Sequence, residues 1–442
     1  MNKFKFYLSL GLCSWGSVIS AQEKLSKEEA VEIALKNNFD IQVSSNFVKI
    51  AENNASIYNS NYLPTLGVNA GANYNDNNNK TTFFAQPDLE NNTQVTNYNA
   101  SVGLGYTLFD GFGRKYNYKR LQELSNLSEI QARQVMETAL LELLSGYYEV
   151  ARLTENRYNQ NRSLEISKDR LTREKYRYQY GQSTQLNVLN SEVDVNNDSI
   201  TYLDLDRQLA NTKRDLNLVL GRDISVDFEV DTTVNYVLEL NYENLLKASK
   251  ENNVQLQQAE KNVKISGYDL RINRSGWMPD LLLSSSYGWN DNEFETDRFN
   301  NFSVRSQNTL GFAAGLSLNW NIFDGGRTRT LVQNAKINID NAEVEKERVE
   351  KLVERNVANA WETYQNALFI LQAEQKNVET NKRNFSRSEE QFKLGQINSV
   401  DFRLAQINLL NAVNNYNRAK YAAKVAELFL LQLSGQLLGT TY

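Results

Sequence analysis

Two stretches of the chain, Lys115–Tyr180 and Arg329–Leu394, contain no proline and a single glycine, Gly146. Each runs for roughly 66 residues, about 100 Å of α-helix at 1.5 Å per residue. The whole chain of 442 residues has only three prolines, so little in it would break such elements. A helix this long outgrows any ordinary core and needs a partner helix along its length. That partner can come from the chain itself. Thr184–Leu220 and Glu243–Ser275 together supply a return path of similar length, with reversals at Gly181 and Gly395. A small equatorial segment at about 221–241, with the β-branched run Ile224–Val237, interrupts the return. Leu409, Ala412, Tyr416, Ala419, Ala423, Ala426 and Leu430 fall at heptad a/d spacing, with alanines that allow close helix packing. The fold class expected is α+β and mostly α, above the usual third of helix.

The chain is also written twice. At a shift of about 215 residues, Asn38, Ile41, Lys49, Ile50, Pro64 and Leu66 return as Asn253, Leu256, Lys264, Ile265, Pro279 and Leu281. Phe109-Asp110-Gly111 returns as Phe323-Asp324-Gly325, Tyr147 as Trp361, Gly181 as Gly395 and Gly221 as Gly435. Residues 22–231 and 232–442 therefore read as two structural repeats of helix, strand, strand, long helix, helix. Residues 1–21 read as an export signal: Lys3 and Lys5, the apolar run Phe6–Val18, and Ile19-Ser20-Ala21 before Gln22. Cys13, the only cysteine, follows Leu12 rather than the small residue a lipid anchor requires, and is expected to leave with the signal.

Four segments carry period-two alternation: about 65–75, 98–109, 281–290 and 309–323. None holds a charge, in a chain that is 23% charged. One face of each is apolar (Leu66, Val68; Val102, Leu104; Leu281, Leu283; Phe312, Leu316) and the other is glycine, serine or asparagine. Aromatics stand at both ends of the apolar faces: Tyr74, Tyr98, Tyr287 and Trp289 towards one, Tyr106 and Trp320 towards the other. This is the aromatic girdle of a membrane barrel strand. A soluble sandwich with its apolar faces inward is the rival, and four strands make a poor one. Asn75–Asn97 and Asp291–Asn308 are expected as polar external loops. Four strands cannot close a barrel, and open edges are not tolerated in lipid. The strands must be pooled between copies, eight from two chains or twelve from three, and only the latter leaves room for a channel. Each chain's helical hairpins would then join an α-barrel continuous with the β-barrel.

Other functions find little support. There is no histidine, which removes His-based zinc sites and catalytic triads, and no enzyme constellation, metal site or cofactor site is found. A net charge of −5 argues against a nucleic-acid partner. Asp194-Val-Asn196-Asn-Asp198 imitates a calcium loop but has Ser199 and Leu205 where glycine and glutamate belong, and reads as helix surface. Glu343–Arg355 reads as an exposed, mixed-charge helix face. A periplasmic coiled-coil scaffold without a channel is the competing function, and leaves the charge-free strands unexplained.

The signal, the repeat, the strand pairs ending in Phe-Asp-Gly and the reversals at Tyr178-Gln-Tyr-Gly181 and Phe392-Lys-Leu-Gly395 resemble TolC-type outer-membrane efflux proteins. The resemblance covers essentially the whole mature chain and rests on the order and spacing of motifs together. It implies a homotrimer with a twelve-stranded barrel in outer-membrane lipid and a long α-helical periplasmic barrel. It further implies a passive exit duct working with a periplasmic adaptor protein and an inner-membrane pump on drugs, metals or polypeptides. The family often places Asp six residues after each hairpin glycine, near the periplasmic aperture, and sometimes Asp or Asn three residues further on. Here those positions hold Asn187 and Asp401, then Asn190 and Leu404. A trimer would carry a ring of three Asp401 carboxylates, with mild cation preference, and neutral rings of Asn187 and Asn190. Asp401 equally suits a helix N-cap after the Gly395 turn, or a solvated surface charge. Phe392 and Ile397 replace the Tyr and Arg that lock the aperture in some members. The hairpin tips, with Gly181 and Gln182 in one and Gly395 and Gln396 in the other, are the expected adaptor contacts.

Overall fold

The computed structural model describes residues 23–236, 240–296 and 305–440; the expected signal, 1–21, lies outside them. Eight helices and six strands follow one another among the described residues. They are β1 (Glu23–Leu25), α1 (Lys27–Asn37), α2 (Phe39–Asn54), β2 (Thr65–Thr81), β3 (Leu89–Asp110), α3 (Gly113–Gln179), α4 (Gln185–Val219) and β4 (Phe228–Val230). Then come α5 (Tyr242–Asn252), α6 (Val254–Ser275), β5 (Asp280–Thr296), β6 (Ser306–Asn319), α7 (Arg327–Lys393) and α8 (Ser399–Leu433). The repeat is visible in the lengths: α3 and α7 have 67 residues each, α4 and α8 have 35, α1 and α5 have 11.

Contacts divide the chain into two compact units, and neither coincides with one repeat. One takes residues up to Gln42, Met136–Leu245 and Val357 onwards; the other takes Val43–Val135 and Leu246–Asn356. The first unit holds the apolar core. Leu143, Leu144, Tyr147 and Tyr148 of α3, Leu216 of α4 and Leu428 of α8 are buried there with Phe228 and Val230 of β4. The equatorial segment supplies β4, which pairs in parallel with β1, Glu23 to Phe228 and Leu25 to Val230. Tyr147 fastens this small sheet: its hydroxyl donates to Leu25 O at 2.8 Å and accepts from Asp231 N at 2.8 Å. On α8 the heptad alanines Ala412, Ala419 and Ala423 are buried as their spacing requires.

The second unit holds a four-stranded antiparallel sheet in the order β2-β3-β5-β6. Three boundaries differ from expectation. Of the expected loop Asp291–Asn308, residues 291–296 and 306–308 are strand, paired Asp291 to Asn308 and Glu293 to Ser306. The other two differences have the following physical reasons. The polar run Asn75–Asn97 is mostly strand, with Asn75 opposite Val95 and Asn77 opposite Thr93, and its turn shrinks to 82–88. Ladder bonds are made by the backbone, so a polar side-chain pattern did not end the pairing. The fourth strand stops at Asn319 instead of 323, because its partner β5 begins at Asp280, opposite Asn319, directly after Pro279, which has no N–H to offer. Residues 297–304 of the other expected loop lie outside the described set.

The return helix expected at Glu243–Ser275 is divided. Asn253 breaks it and caps α6, its side chain accepting from Gln255 N and Leu256 N. Its repeat counterpart Asn38 does the same between α1 and α2, accepting from Asp40 N at 3.0 Å and Ile41 N at 3.1 Å. The recurrence of this asparagine thus marks a shared helix break.

Candidate functional site: the strand sheet and the hairpin tips

Register aligns the alternating strands into two faces. Val68, Val102, Tyr287 and Phe312 form one row across the four strands, and Leu66, Leu104, Ser285 and Ala314 the next. On this face Val68 is 75% exposed, Phe312 71% and Leu316 65%. An apolar surface of this extent, contiguous across four strands, demands a cover. The opposite face carries Gly67, Gly103, Ser286 and Ala313 in one row, and Asn73, Asn97, Asn292 and Gln307 in another.

The girdle residues lie on the apolar face in staggered rows. Tyr74 is opposite Thr96, Tyr98 is opposite Asp291, and Tyr287 and Trp289 follow further along β5. Trp289 Nε1 donates to Asn308 Oδ1 at 2.9 Å. Tyr106 is opposite Leu283 near the other end. From the row of Tyr74 to Tyr106 is about ten residue steps, roughly 34 Å along the strand and about 26 Å of height at a 40° tilt, close to the apolar band of outer-membrane barrels. Trp320 lies just past β6, its Nε1 donating to Trp277 O at 3.2 Å. Trp277, half exposed, is a third aromatic at this end that its position outside the alternating run concealed.

The Phe-Asp-Gly repeat has a structural explanation that spacing alone did not reveal. Asp110 accepts from Arg114 N at 2.7 Å, and Asp324 accepts from Thr328 N at 2.8 Å and Thr328 Oγ1 at 2.6 Å. Each aspartate thereby satisfies orphan donors at the start of a 67-residue helix. The Thr328 hydrogen bonds hold Asp324 below the usual carboxylate range. The glycine after each takes positive φ, +63° at Gly111 and +70° at Gly325.

The two hairpin tips of the other unit are near copies. Gly181 at φ +71° accompanies Gln182 N donating to Arg177 O at 2.7 Å; Gly395 at φ +72° accompanies Gln396 N donating to Gln391 O at 2.8 Å. These are Schellman ends, and a Cβ at either glycine would meet nothing within 4 Å, so backbone conformation alone selects glycine. Gln182 and Gln396 stand at the exposed tips. The next helix is capped by Thr184 in the first hairpin and Asn398 in the second. Asp401 is therefore not the N-cap: its own N–H donates to Asn398 Oδ1 at 2.8 Å, and it lies exposed in the first turn of α8. Asn190 is exposed, whereas Asn187 is half-buried and donates to Ser183 Oγ at 3.1 Å. Ser183 in turn donates to the buried Glu174 at 2.6 Å. Phe392 stacks on Phe402 with ring centroids 4.7 Å apart, closing the second hairpin from inside.

Above the tips lies a cluster that includes Asp194 and Asp198, which the sequence suggests for the helix surface. Asp198 is 5% exposed and accepts Arg403 through Nη1 at 2.8 Å and Nη2 at 2.7 Å, and Ser167 Oγ at 2.6 Å. Arg170, buried, pairs with Asp194 and donates to Ser399 O at 3.1 Å. The correction has a simple cause: Asp194 and Asp198 are one helical turn apart on the face of α4 that meets α3 and α8, where two arginines neutralise them. Two acids at i,i+4 were the available signal.

The sequence profile of the outer membrane efflux protein family matches residues 30–222 and 245–436. The chain belongs to that family. It is an outer-membrane efflux channel with a large helical part, and the family is one of channel proteins. Similar proteins include outer membrane efflux protein BepC of Brucella suis, 21% identical over 96% of this chain and 88% of its own length. Outer membrane protein TolC of Salmonella enteritidis is 23% identical over 85% of this chain and 74% of its own. The CmeC outer membrane channel of Campylobacter jejuni shares the fold with a TM-score of 0.75 at 17% identity, covering 99% of this chain and 94% of that one. No helix among the described residues is long and apolar enough to cross a membrane.

Proposed function

We propose that three copies of this chain close a twelve-stranded barrel in the outer membrane, forming the passive exit duct of a tripartite system with a periplasmic adaptor and an inner-membrane pump. The observation that carries this is the pair of open edges on a sheet whose one face bears an apolar band from the row of Ala70, Ala100, Trp289 and Leu310 to that of Leu281 and Leu318. In the order β2-β3-β5-β6 the edges are β2 and β6, which run in opposite directions. The β6 edge of one copy therefore meets the β2 edge of the next antiparallel, a head-to-tail contact that closes by rotation. Lipid would cover the apolar face, with Tyr74, Tyr98 and Trp289 towards one interface and Tyr106 and Trp320 at the other. Tyr287, expected with the first group, shares the middle row of Val68, Val102 and Phe312 and would lie within the band. Asp401, Asn187 and Asn190 would line the periplasmic aperture. The tips at Gly181, Gln182, Gly395 and Gln396 would receive the adaptor, and the repeated Schellman geometry offers it six similar seats per trimer.

The test is the mass and location of the native protein, by envelope fractionation, extraction in mild detergent and light scattering. A three-chain outer-membrane particle is expected. A two-chain particle would mean eight strands with a filled interior, and a one-chain soluble particle would overturn the barrel.

A further inference from the structure

The strands of the sheet carry eight charged residues, and register sorts them. Asp76, Lys80, Glu90, Asp291, Glu293 and Glu295 all share the parity of Tyr74, Tyr98 and Trp289, the apolar, outward-facing set. Asp110 and Asp280, opposite one another, lie at the last pair of β3 and β5, where the chain passes into helices. From Thr107 to the row of Asn97, Asn292 and Gln307 the opposite face has no charge in any described strand. Arg305, whose O accepts from Phe294 N at 3.0 Å, continues the parity of Gln307 and bounds this face at its far end. Between these limits the face is a carboxamide surface. Asn97 Nδ2 donates to Asn290 Oδ1 at 2.5 Å and to Asn292 Oδ1 at 2.7 Å, and Asn99 Nδ2 donates to Asn97 Oδ1 at 3.0 Å. Asn73 and Gln307 extend the same row to both sheet edges.

From this sorting we infer that the barrel lumen is a charge-neutral, amide-lined sleeve that admits polar solutes of either sign and applies no charge filter. The inference rests on the closed-barrel reading above. A carboxamide offers both a donor and an acceptor, so it hydrogen-bonds cationic, anionic and neutral polar groups alike. Charge selection in a pore comes from rings of ionised side chains, and between the Asp110–Asp280 end and Arg305 the described strands place none on this wall. The acids of the same strands face away from the lumen, where the lipid headgroups stand. Whatever charge preference the duct has arises outside this sleeve, in its helical part, at the strand–helix junction or at the rim where Arg305 stands.

The only cysteine of the chain is Cys13, so single cysteines can be placed cleanly. Asn290→Cys and Asp291→Cys are adjacent residues on opposite faces. Each is reconstituted in planar bilayers and treated with 2-sulfonatoethyl methanethiosulfonate, with mass spectrometry verifying the modification. At Asn290→Cys the reagent adds three sulfonates on the order of 10 Å from the pore axis, raising the cation-to-anion permeability ratio about twofold after screening. At Asp291→Cys the ratio is unchanged by modification. Asn292→Cys and Glu293→Cys repeat the comparison should either first variant fail to assemble. The amide triple variant Asp291→Asn/Glu293→Gln/Glu295→Gln is expected to keep the wild-type ratio. A shift at the 291 and 293 sites, or none at 290 and 292 despite complete modification, overturns the sleeve. A one-chain particle without conductance overturns the barrel reading instead, and light scattering on the same sample separates the two failures.

Discussion

Asp198→Asn is the most informative single change in the helical unit. The side chains of Asp198 and Arg403 are 7% and 12% exposed and joined by two hydrogen bonds, and Ser167 Oγ donates to the same carboxylate. Asparagine keeps the shape and one acceptor oxygen but leaves the arginine without its bidentate counter-ion. Removing one partner of a buried pair costs about 3–5 kcal/mol. Arg403 retains Asp194 at 3.6 Å, so the expected loss is smaller, about 2 kcal/mol. That raises the locally open population of the hairpin roughly 30-fold. Trypsin reads it directly, because Arg173, Arg177 and Lys393 flank the tips and neither Asp nor Asn is a trypsin site. Under conditions where reclosing outpaces cleavage, the cutting rate follows the open population. Asp198→Asn/Arg403→Gln, measured with chymotrypsin, replaces the ion pair by a neutral one and should recover much of the loss, as buried pairs often tolerate joint replacement. A rate within twofold of wild type for Asp198→Asn would refute the claim that this cluster holds α8 to α3 and α4.

Three further changes test the local geometry. Gly181→Ala and Gly395→Ala each force a Cβ into positive φ with no compensating contact and should cost about 1–2 kcal/mol, read as faster tryptic cutting at that tip alone; Asn at either site should be milder. Asp324→Ala removes the cap of α7 and should lower the midpoint in thermal scans of the detergent-solubilised particle. Because its folded carboxyl lies below the usual range, its wild-type contribution is present above the unfolded value near pH 4 and disappears as pH falls through the folded value, so wild type and Asp324→Ala should converge in acid. Tyr147 is pushed up to about 12, burial being the main cause. Its neutral form is favoured by folding, so stability is full below the unfolded pKa of about 10 and declines as pH rises through 12; Tyr147→Phe should lose about 1–3 kcal/mol at neutral pH and flatten that alkaline decline.

The elements with strong periodic signals were legible without coordinates. Runs of roughly 66 residues without proline and with at most one glycine are too long for strands and fit helix, and the heptad spacing at Leu409–Leu430 marks a helix that packs against another. Charge-free alternation needs a two-faced sheet whatever the neighbours do. The duplicated glycines at 181 and 395 declared the reversals because positive φ is a local demand of the backbone. The partnering of polar residues was not local. Asp198 and Arg403 are separated by 205 residues, so their burial depends on which helix faces meet, and solvated or buried aspartates look alike in sequence. Asp401 and Asn398 both fit an N-cap by composition, and only the position of the turn assigned the cap to Asn398. The strand lengths beyond Tyr74 and before Tyr98 were set by backbone pairing across the turn, which side-chain pattern does not encode. The sequence alone therefore determined the element types, the repeat and which face of each strand is apolar. Tertiary structure decided register and burial, which arise from contacts between segments far apart in the chain, and with them which residues align in one row across the sheet and which charges are paired inside.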